Sequence, residues 1–393
     1  YPMTYNKLLH NNKLHFAFYL AVCFYLFLCI VRYINAKPLW LDENFILDNL
    51  KNLGFTQLFG PLQHSQGFPR LYLFLIKAVS APFGYNVYML RFFPFLAMVA
   101  AFFIWLSIFR KEEKEISFGM LLFVLSWCGS SFMSRYCAEL KQYSIDVLTA
   151  ALFTRFLVDQ GERAGRGAPM LVYLLMPSLV LFSYPAYFFI SLPVYNLALA
   201  LKSDKTAHRK FYLYCVSAFI FIIISLYYDV RFTIVDKGLS SYWNDYFISF
   251  SSGYELLKSL SEGLRNIFVK WYLGHKLVTR LMTVFMPWAL IYIIIAAFRS
   301  LKKNRGAVYS PEAITLFLLI ELFVAASLKL YPFTGERVTL FISSFIFYAI
   351  IKSILALKHR LRLVYLAFAV LYVLILVNIA IYLAFLYLFL PTV

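Results

Sequence analysis

Apolar runs of bilayer-spanning or near-spanning length recur along almost the whole chain, separated by short polar breaks. A helix needs roughly 20 apolar residues to cross the hydrocarbon core. In lipid every backbone N–H and C=O must find its partner inside the protein, so runs of this kind fold as helices. The expected fold class is therefore all-α: a polytopic membrane protein. Composition agrees, with 62% hydrophobic and 14% charged residues and 42 Phe beside 30 Tyr. A soluble domain of 393 residues could not hide that much apolar surface.

The apolar runs predict about eleven transmembrane helices, at 15–34, 88–109, 117–134, 144–159, 170–183, 186–201, 210–228, 284–299, 312–330, 338–353 and 363–389. The first follows Lys7 and Lys13 but is too long for a signal peptide and lacks a small-residue cleavage site, so it reads as a retained anchor. The segment 71–83 is apolar but short and contains Lys77, which suits an interfacial helix in the first external loop. The formal net charge of +18 comes largely from clusters between runs: Arg110/Lys111/Lys114, Arg163/Arg166, Lys202/Lys205/Arg209/Lys210, Arg299/Lys302/Lys303/Arg305 and Lys358/Arg360/Arg362. With the N-terminus inside, all five fall on the cytoplasmic side, so membrane orientation accounts for the charge and no nucleic-acid partner is needed. The chain reads as one transmembrane domain over 1–393, with long external loops at 35–87 and 229–283. Its five cysteines show neither CxxC spacing nor a pairing pattern.

Two of the 19 acidic residues, Asp42 and Glu43, stand side by side where the chain leaves the first run. Ionised carboxylates at a bilayer boundary need solvation or a partner. Other unexplained polar residues gather on the same expected face. The first loop carries His64, Gln66 and Arg70, and the next external turn carries Arg135, Glu139, Lys141, Gln142, Tyr143 and Asp146. On a continuous helix Glu139, Gln142/Tyr143 and Asp146 would share one side and Lys141 another. Tyr331-Pro332-Phe333-Thr334-Gly335-Glu336-Arg337 ends a further turn with a cation at the outer end of the following run. Carboxylates ringed by Lys and Arg suit a reaction in which a base activates a hydroxyl and cations stabilise a departing phosphate.

These residues carry a resemblance. The acidic pair after the first span, Gln66-Gly67-Phe68-Pro69-Arg70, Phe83-Gly84, Leu90-Arg91-Phe92-Phe93-Pro94, Glu139 to Asp146, Ser183-Tyr184-Pro185-Ala186, Tyr242-Trp243 and Tyr331-Pro332-Phe333 stand in a familiar order. The chain resembles bacterial members of the GT-C integral-membrane glycosyltransferases, in the family of the dolichyl-phosphate-mannose protein mannosyltransferases and aminoarabinose transferases. It departs from the family's frequent His-Pro-Pro at Gly67-Phe68-Pro69, and it shows no counterpart of the extra lumenal domain of some members, so nothing follows about protein acceptors. The resemblance implies inverting transfer of a hexosyl or pentosyl unit from a polyprenyl-phosphate donor to an external acceptor, with glycan, lipid and protein all left open. The site would face the periplasm of a bacterial inner membrane. It implies catalytic roles for Asp42 as general base and Glu43 in support. Lys141, Arg337 and Arg70 would bind the donor phosphate, and Glu139, Asp146, Tyr143, His64, Gln66, Tyr242 and Trp243 would contact sugar or acceptor. A divalent metal ion stays open, because carboxylates bind such ions as readily as they act as bases.

Each residue also has a plainer reading. Asp42 and Glu43 suit the first turn of a helix. Glu139 and Asp146 suit partnership with Arg135 or Lys141, Arg337 suits a snorkelling anchor, and His64 a solvated loop. Trp40, Trp243, Trp271 and Tyr331 suit interface anchors, and Glu321 sits mid-span and calls for a partner in the bundle. Other functions remain in view: a transporter or flippase for a lipid-linked sugar, an O-antigen polymerase or ligase, and a non-catalytic scaffold. A transporter predicts inverted repeats and polar groups at the midplane; the sequence shows no repeat, and Glu321 is nearly alone at depth.

Overall fold

The computed structural model of the chain describes residues 2–162, 169–201, 205–235, 241–272, 276–358 and 361–389. Arg163, Arg166, Lys202 and Arg360 of the basic clusters lie outside them, as does part of the expected loop 229–283.

Helices follow one another along the whole described chain, with an isolated bridge between Ser130 and Tyr272 as the only β pairing among these residues. In chain order they are α1 (Pro2–Ile34), α2 (Leu41–Asn52), α3 (Arg70–Ser80), α4 (Val87–Glu113), α5 (Phe118–Cys128), α6 (Ser131–Tyr136), α7 (Tyr143–Glu162) and α8 (Met170–Leu175). There follow α9 (Ala186–Ala200), α10 (Lys205–Ser225), α11 (Arg231–Val235), α12 (Gly253–Val269), α13 (Lys276–Lys303), α14 (Pro311–Ser327), α15 (Ser343–Ala356) and α16 (Arg362–Phe389). The polypeptide is thus an all-helical, polytopic integral membrane protein.

Every expected span coincides with helical structure. Among the described residues six stretches are long and apolar enough to cross a bilayer alone: Asn12–Ile34, Val87–Glu113, Thr206–Thr233, Val278–Lys303, Arg337–Ala356 and Arg362–Leu388. The number of crossings is therefore not fixed at eleven. Three of the remaining segments, Phe118–Cys128, Met170–Leu181 and Ala186–Ala200, are apolar but short. α7 has 20 residues but carries Asp146, Arg155, Asp159 and Glu162.

The run 117–134 is not one helix. α5 stops at Gly129, and a new helix starts where the Ser130 hydroxyl accepts the Met133 N–H at 3.3 Å. This short α6 stops in turn at Tyr136, so residues 137–142 form an irregular turn. The expectation of a continuous helical face through Glu139 and Asp146 fails for that reason.

Two cores hold the molecule. The larger joins the membrane helices: α4 runs along α7, α1 along α5, and α13 along α14 and α15. Tyr25, Phe102 and Trp127 interlock within it, with ring centroids 4.5 to 5.5 Å apart. Trp271 is fully buried and hydrogen-bonds Ile267 O, so it is a core residue and not an interface anchor. The smaller core sits at the Asp42 end of the bundle. Ile46 and Leu50 of α2, Leu58, Phe68, Tyr72, Leu73 and Ile76 around α3, Leu90 of α4 and Leu140 form it. In water-facing loops such burial contributes about 1.5–3 kcal/mol per large side chain, a driving force that helices packed in lipid largely lack. Lys77, within the otherwise apolar α3, is buried here and donates to Leu50 O and Leu53 O.

The turn 331–337 is clamped from the other side by α12. Phe333 N–H donates to Tyr246 O at 2.9 Å, and Lys270 pairs with Glu336. A Cβ at Gly335 would lie 1.9 Å from Asn266 O, so only glycine allows this approach. Gly335→Ala should force the turn off α12. Overpacking of this kind typically costs about 1–3 kcal/mol, read as a lower unfolding temperature of the detergent-solubilised protein. An unchanged temperature would show that the clamp is loose.

Candidate functional site

The site is built on the first turn of α2. Glu43, fully buried, binds Arg91 of α4 in a two-pronged pair, Nη2 to Oε2 at 2.7 Å and Nε to Oε1 at 3.2 Å. Its oxygens also accept the Leu140 N–H at 2.5 Å and the Trp40 N–H at 3.3 Å. The Trp40 bond caps α2. The Leu140 bond explains why the chain after α6 turns instead of continuing as helix: that N–H belongs to Glu43. Arg91 completes the join by donating to Lys37 O at 2.7 Å. One carboxylate thus ties together α2, α4 and the 137–142 turn.

With Glu43 turned inward, its neighbour Asp42 faces two cations. Arg337 Nη1 lies 2.8 Å from Asp42 Oδ2, and Lys141 Nζ lies 3.9 Å from the same oxygen. Lys141 also donates to Gln66 Oε1 at 2.9 Å. Gln66 is presented by a turn in which His64 and Ser65 both take positive φ, 62° and 50°, a costly backbone for such residues. The Arg337 guanidinium rests over the Trp40 ring, 5.1 Å from its centre. Three segments far apart in sequence therefore meet at one partly exposed carboxylate.

Burial sets the electrostatics. It pushes Lys141 down to about 8, with Asp42, Glu43 and Glu139 opposing the shift and Arg337 adding to it. Arg337 carries a guanidinium, which stays charged throughout the working pH range.

The remaining sequence candidates fall into three groups. Tyr143 and Tyr242 stand within electrostatic range of Arg337. Tyr143 is buried edge-on to Tyr136, and Tyr242 is largely exposed with Trp243 edge-on at 4.9 Å. His64 and Gln66 share the loop that reaches Lys141, but His64 itself stacks on Phe45 and sits 3.6 Å from Asp48. Arg70, Glu139 and Asp146 have other partners. Arg70 is buried 4.0 Å from Asp229, Glu139 pairs with Arg135 at 2.7 Å, and Asp146 accepts the Ser183 hydroxyl at 2.7 Å. Glu321 accepts the Ser191 hydroxyl at 2.6 Å.

Arg91 and Trp40 are the residues that sequence reasoning left without a role at the site. The usable signal for Arg91 was an arginine inside an otherwise apolar helix. Trp40 has the sequence setting of an interface anchor, yet its ring lies 5.1 Å from the Arg337 guanidinium and 5.9 Å from that of Arg135.

Among the described residues no three His, Cys, Asp or Glu side chains gather as a ligand set. The adjacent carboxylates Asp42 and Glu43 are each engaged by an arginine.

No protein-family model matches the chain, and no curated protein matches it in sequence. Among solved structures it is similar to ArnT from Cupriavidus metallidurans. The match to the apo crystal structure has a TM-score of 0.52 at 11% identity, covering 94% of this chain and 75% of ArnT. The crystal structure of ArnT bound to undecaprenyl phosphate gives 0.50 at 12% identity, covering 94% and 76%. The likeness is one of fold, and at that level it bears out the resemblance carried by the sequence motifs.

The Glu43–Arg91 pair makes its own prediction. Glu43→Gln or Arg91→Met would each strand a buried charge or polar group, at a cost of about 3–5 kcal/mol. The double variant should recover part of the loss. Thermal unfolding of the four proteins checks this, and a Glu43→Gln protein as stable as the wild type would remove the pair from its anchoring role.

Proposed function

We propose that the chain is an inverting glycosyltransferase that moves a sugar from a polyprenyl-phosphate donor to a hydroxyl of its acceptor on the external, periplasmic side. The observation that carries this reading is the convergence of Lys141 and Arg337 on Asp42. The fold likeness to ArnT, which has been crystallised with undecaprenyl phosphate, supports it.

The chemistry follows from the trio. Asp42 takes the proton of the acceptor hydroxyl as its oxygen attacks the anomeric carbon, and the bond from that carbon to the phosphate oxygen breaks on the opposite face. The configuration inverts, and the lipid phosphate leaves with the bonding pair. Lys141 and Arg337 receive the charge that develops on it, the kind of electrostatic help whose loss typically costs about 10²–10³ in rate. In the free protein Arg337 neutralises Asp42. An arriving phosphate competes for that guanidinium and frees the carboxylate for the acceptor. Glu43 acts by positioning: its buried bonds hold the α2 turn so that Asp42 points outward. Tyr143, Tyr242, Trp243, His64 and Gln66 are proposed to line the approach of sugar and acceptor, and Glu139, Asp146 and Arg70 to support the walls around them.

Asp42→Asn should lower transfer about 10²–10⁴-fold, the usual span of general-base catalysis, while leaving the donor bound. Turnover at the wild-type rate, measured with a radiolabelled polyprenyl-phosphate sugar, would rule Asp42 out as the base.

The lowered Lys141 gives a pH dependence with a definite sign. Below about 8 the lysine is charged and the donor phosphate meets two cations; above it only Arg337 remains charged. The donor KM should therefore rise as pH rises through that value. Lys141→Arg should flatten the rise, because a guanidinium keeps its charge throughout. A wild-type KM flat across the same range would contradict the assignment.

A further inference from the structure

A second cluster of cations, one of them also over the Trp40 ring, lies beside the proposed site, and nothing in the proposed reaction uses it. Arg32 stands at the end of α1, Lys37 follows in the connection to α2, and Arg135 closes α6. Lys37 feels both Arg32 and Arg135, and Glu139 is the one carboxylate among the groups acting on it. Arg91 also faces Lys37, but its charge is matched by Glu43. Three cations thus share one acid.

Arg135 donates to Glu139, but the other two cations each keep a donor without an acceptor. Arg32 Nη1, Lys37 Nζ and Trp40 Nε1 are shielded from solvent with no hydrogen-bond partner, and Glu139 Oε2 is likewise unpartnered. Buried donors without acceptors are costly. Burial, followed by Arg32, lowers Lys37 to about 8, as expected where positive charge is in excess. The cluster borders the ends of two membrane helices. Arg32 lies over the Tyr387 ring of α16, 5.3 Å from its centre, and Asn35 donates to Tyr387 O at 2.7 Å. Nearby, α1 exposes Ile30 and Ile34, and α16 exposes Tyr382 and Leu388.

We infer that Arg32, Lys37 and Arg135 form a second anion site, separate from the Asp42 trio, which takes the phosphate group of a membrane amphiphile. A phosphate offers several acceptor oxygens to a guanidinium and an ammonium at once. Apolar side chains at the ends of α1 and α16 offer the acyl or prenyl chain a surface continuous with the bilayer. The site does not depend on the glycosyltransferase reading.

The test uses the full chain in detergent with Lys141→Ala in the background, which weakens the other phosphate seat. Native mass spectrometry should show dioleoyl phosphatidate retained by this protein and dioleoylglycerol released. Adding Lys37→Gln, or Arg32→Gln, should weaken phosphatidate binding at least tenfold, with the unfolding temperature confirming that each variant is folded. Two independent variants guard against one that fails to fold. The inference is overturned if the Lys141→Ala protein holds no phosphatidate, if it holds dioleoylglycerol equally well, or if neither added variant weakens binding. Inorganic phosphate serves as the competing probe. Displacement at millimolar concentration identifies a phosphate drawn from solution, and retention of the lipid identifies a membrane source.

Discussion

The organisation of the Asp42 end depends on one buried carboxylate. Glu43 accepts from a guanidinium on α4, from the backbone of the 137–142 turn and from the N-terminus of its own helix. Such a group is costly to bury unless every lone pair is used, and here the partners come from three segments. The consequence is geometric. Successive residues on a helix point about 100° apart, so fixing Glu43 inward fixes Asp42 toward the opening. The acidic pair therefore divides into an anchor and an exposed carboxylate, and the division follows from packing.

The second constraint is the turn that brings Arg337. It is short, it is held by α12 through Gly335 and the Lys270–Glu336 pair, and it leads through a 3-10 helix at Arg337–Ile342 into the helix 343–356. Arg337 therefore reaches Asp42 from a fixed base. Its guanidinium and that of Arg135 both lie over the Trp40 ring, 5.1 and 5.9 Å from its centre. Cation–π contacts of this type contribute about 0.5–2 kcal/mol, depending on desolvation.

Much of this was legible in the sequence. Apolar run length located the helical stretches, because in lipid a helix is the only economical way to satisfy the backbone, but it did not fix how many of them cross the bilayer. The convergence of Asp42, Lys141 and Arg337 was suggested by their placement at one end of successive runs. Other features were not legible. The break after Tyr136 depends on Leu140 N–H being captured by Glu43, a contact 97 residues apart that no local pattern encodes. Arg70 looked like a third phosphate ligand, but Asp229, distant in sequence, lies beside it. Trp271 has the composition of an interface anchor, and only the packing around it makes it core. Pairwise contacts across the bundle decide these cases, and periodicity is blind to them.

The central claim is that Lys141 and Arg337 seat a lipid phosphate beside Asp42. A structure of the protein with undecaprenyl phosphate tests it most directly. The account predicts phosphate density within hydrogen-bonding distance of Lys141 Nζ and the Arg337 guanidinium, with Arg337 drawn away from Asp42. Phosphate held elsewhere, at Arg70 for instance, with the Arg337–Asp42 pair intact, would contradict it.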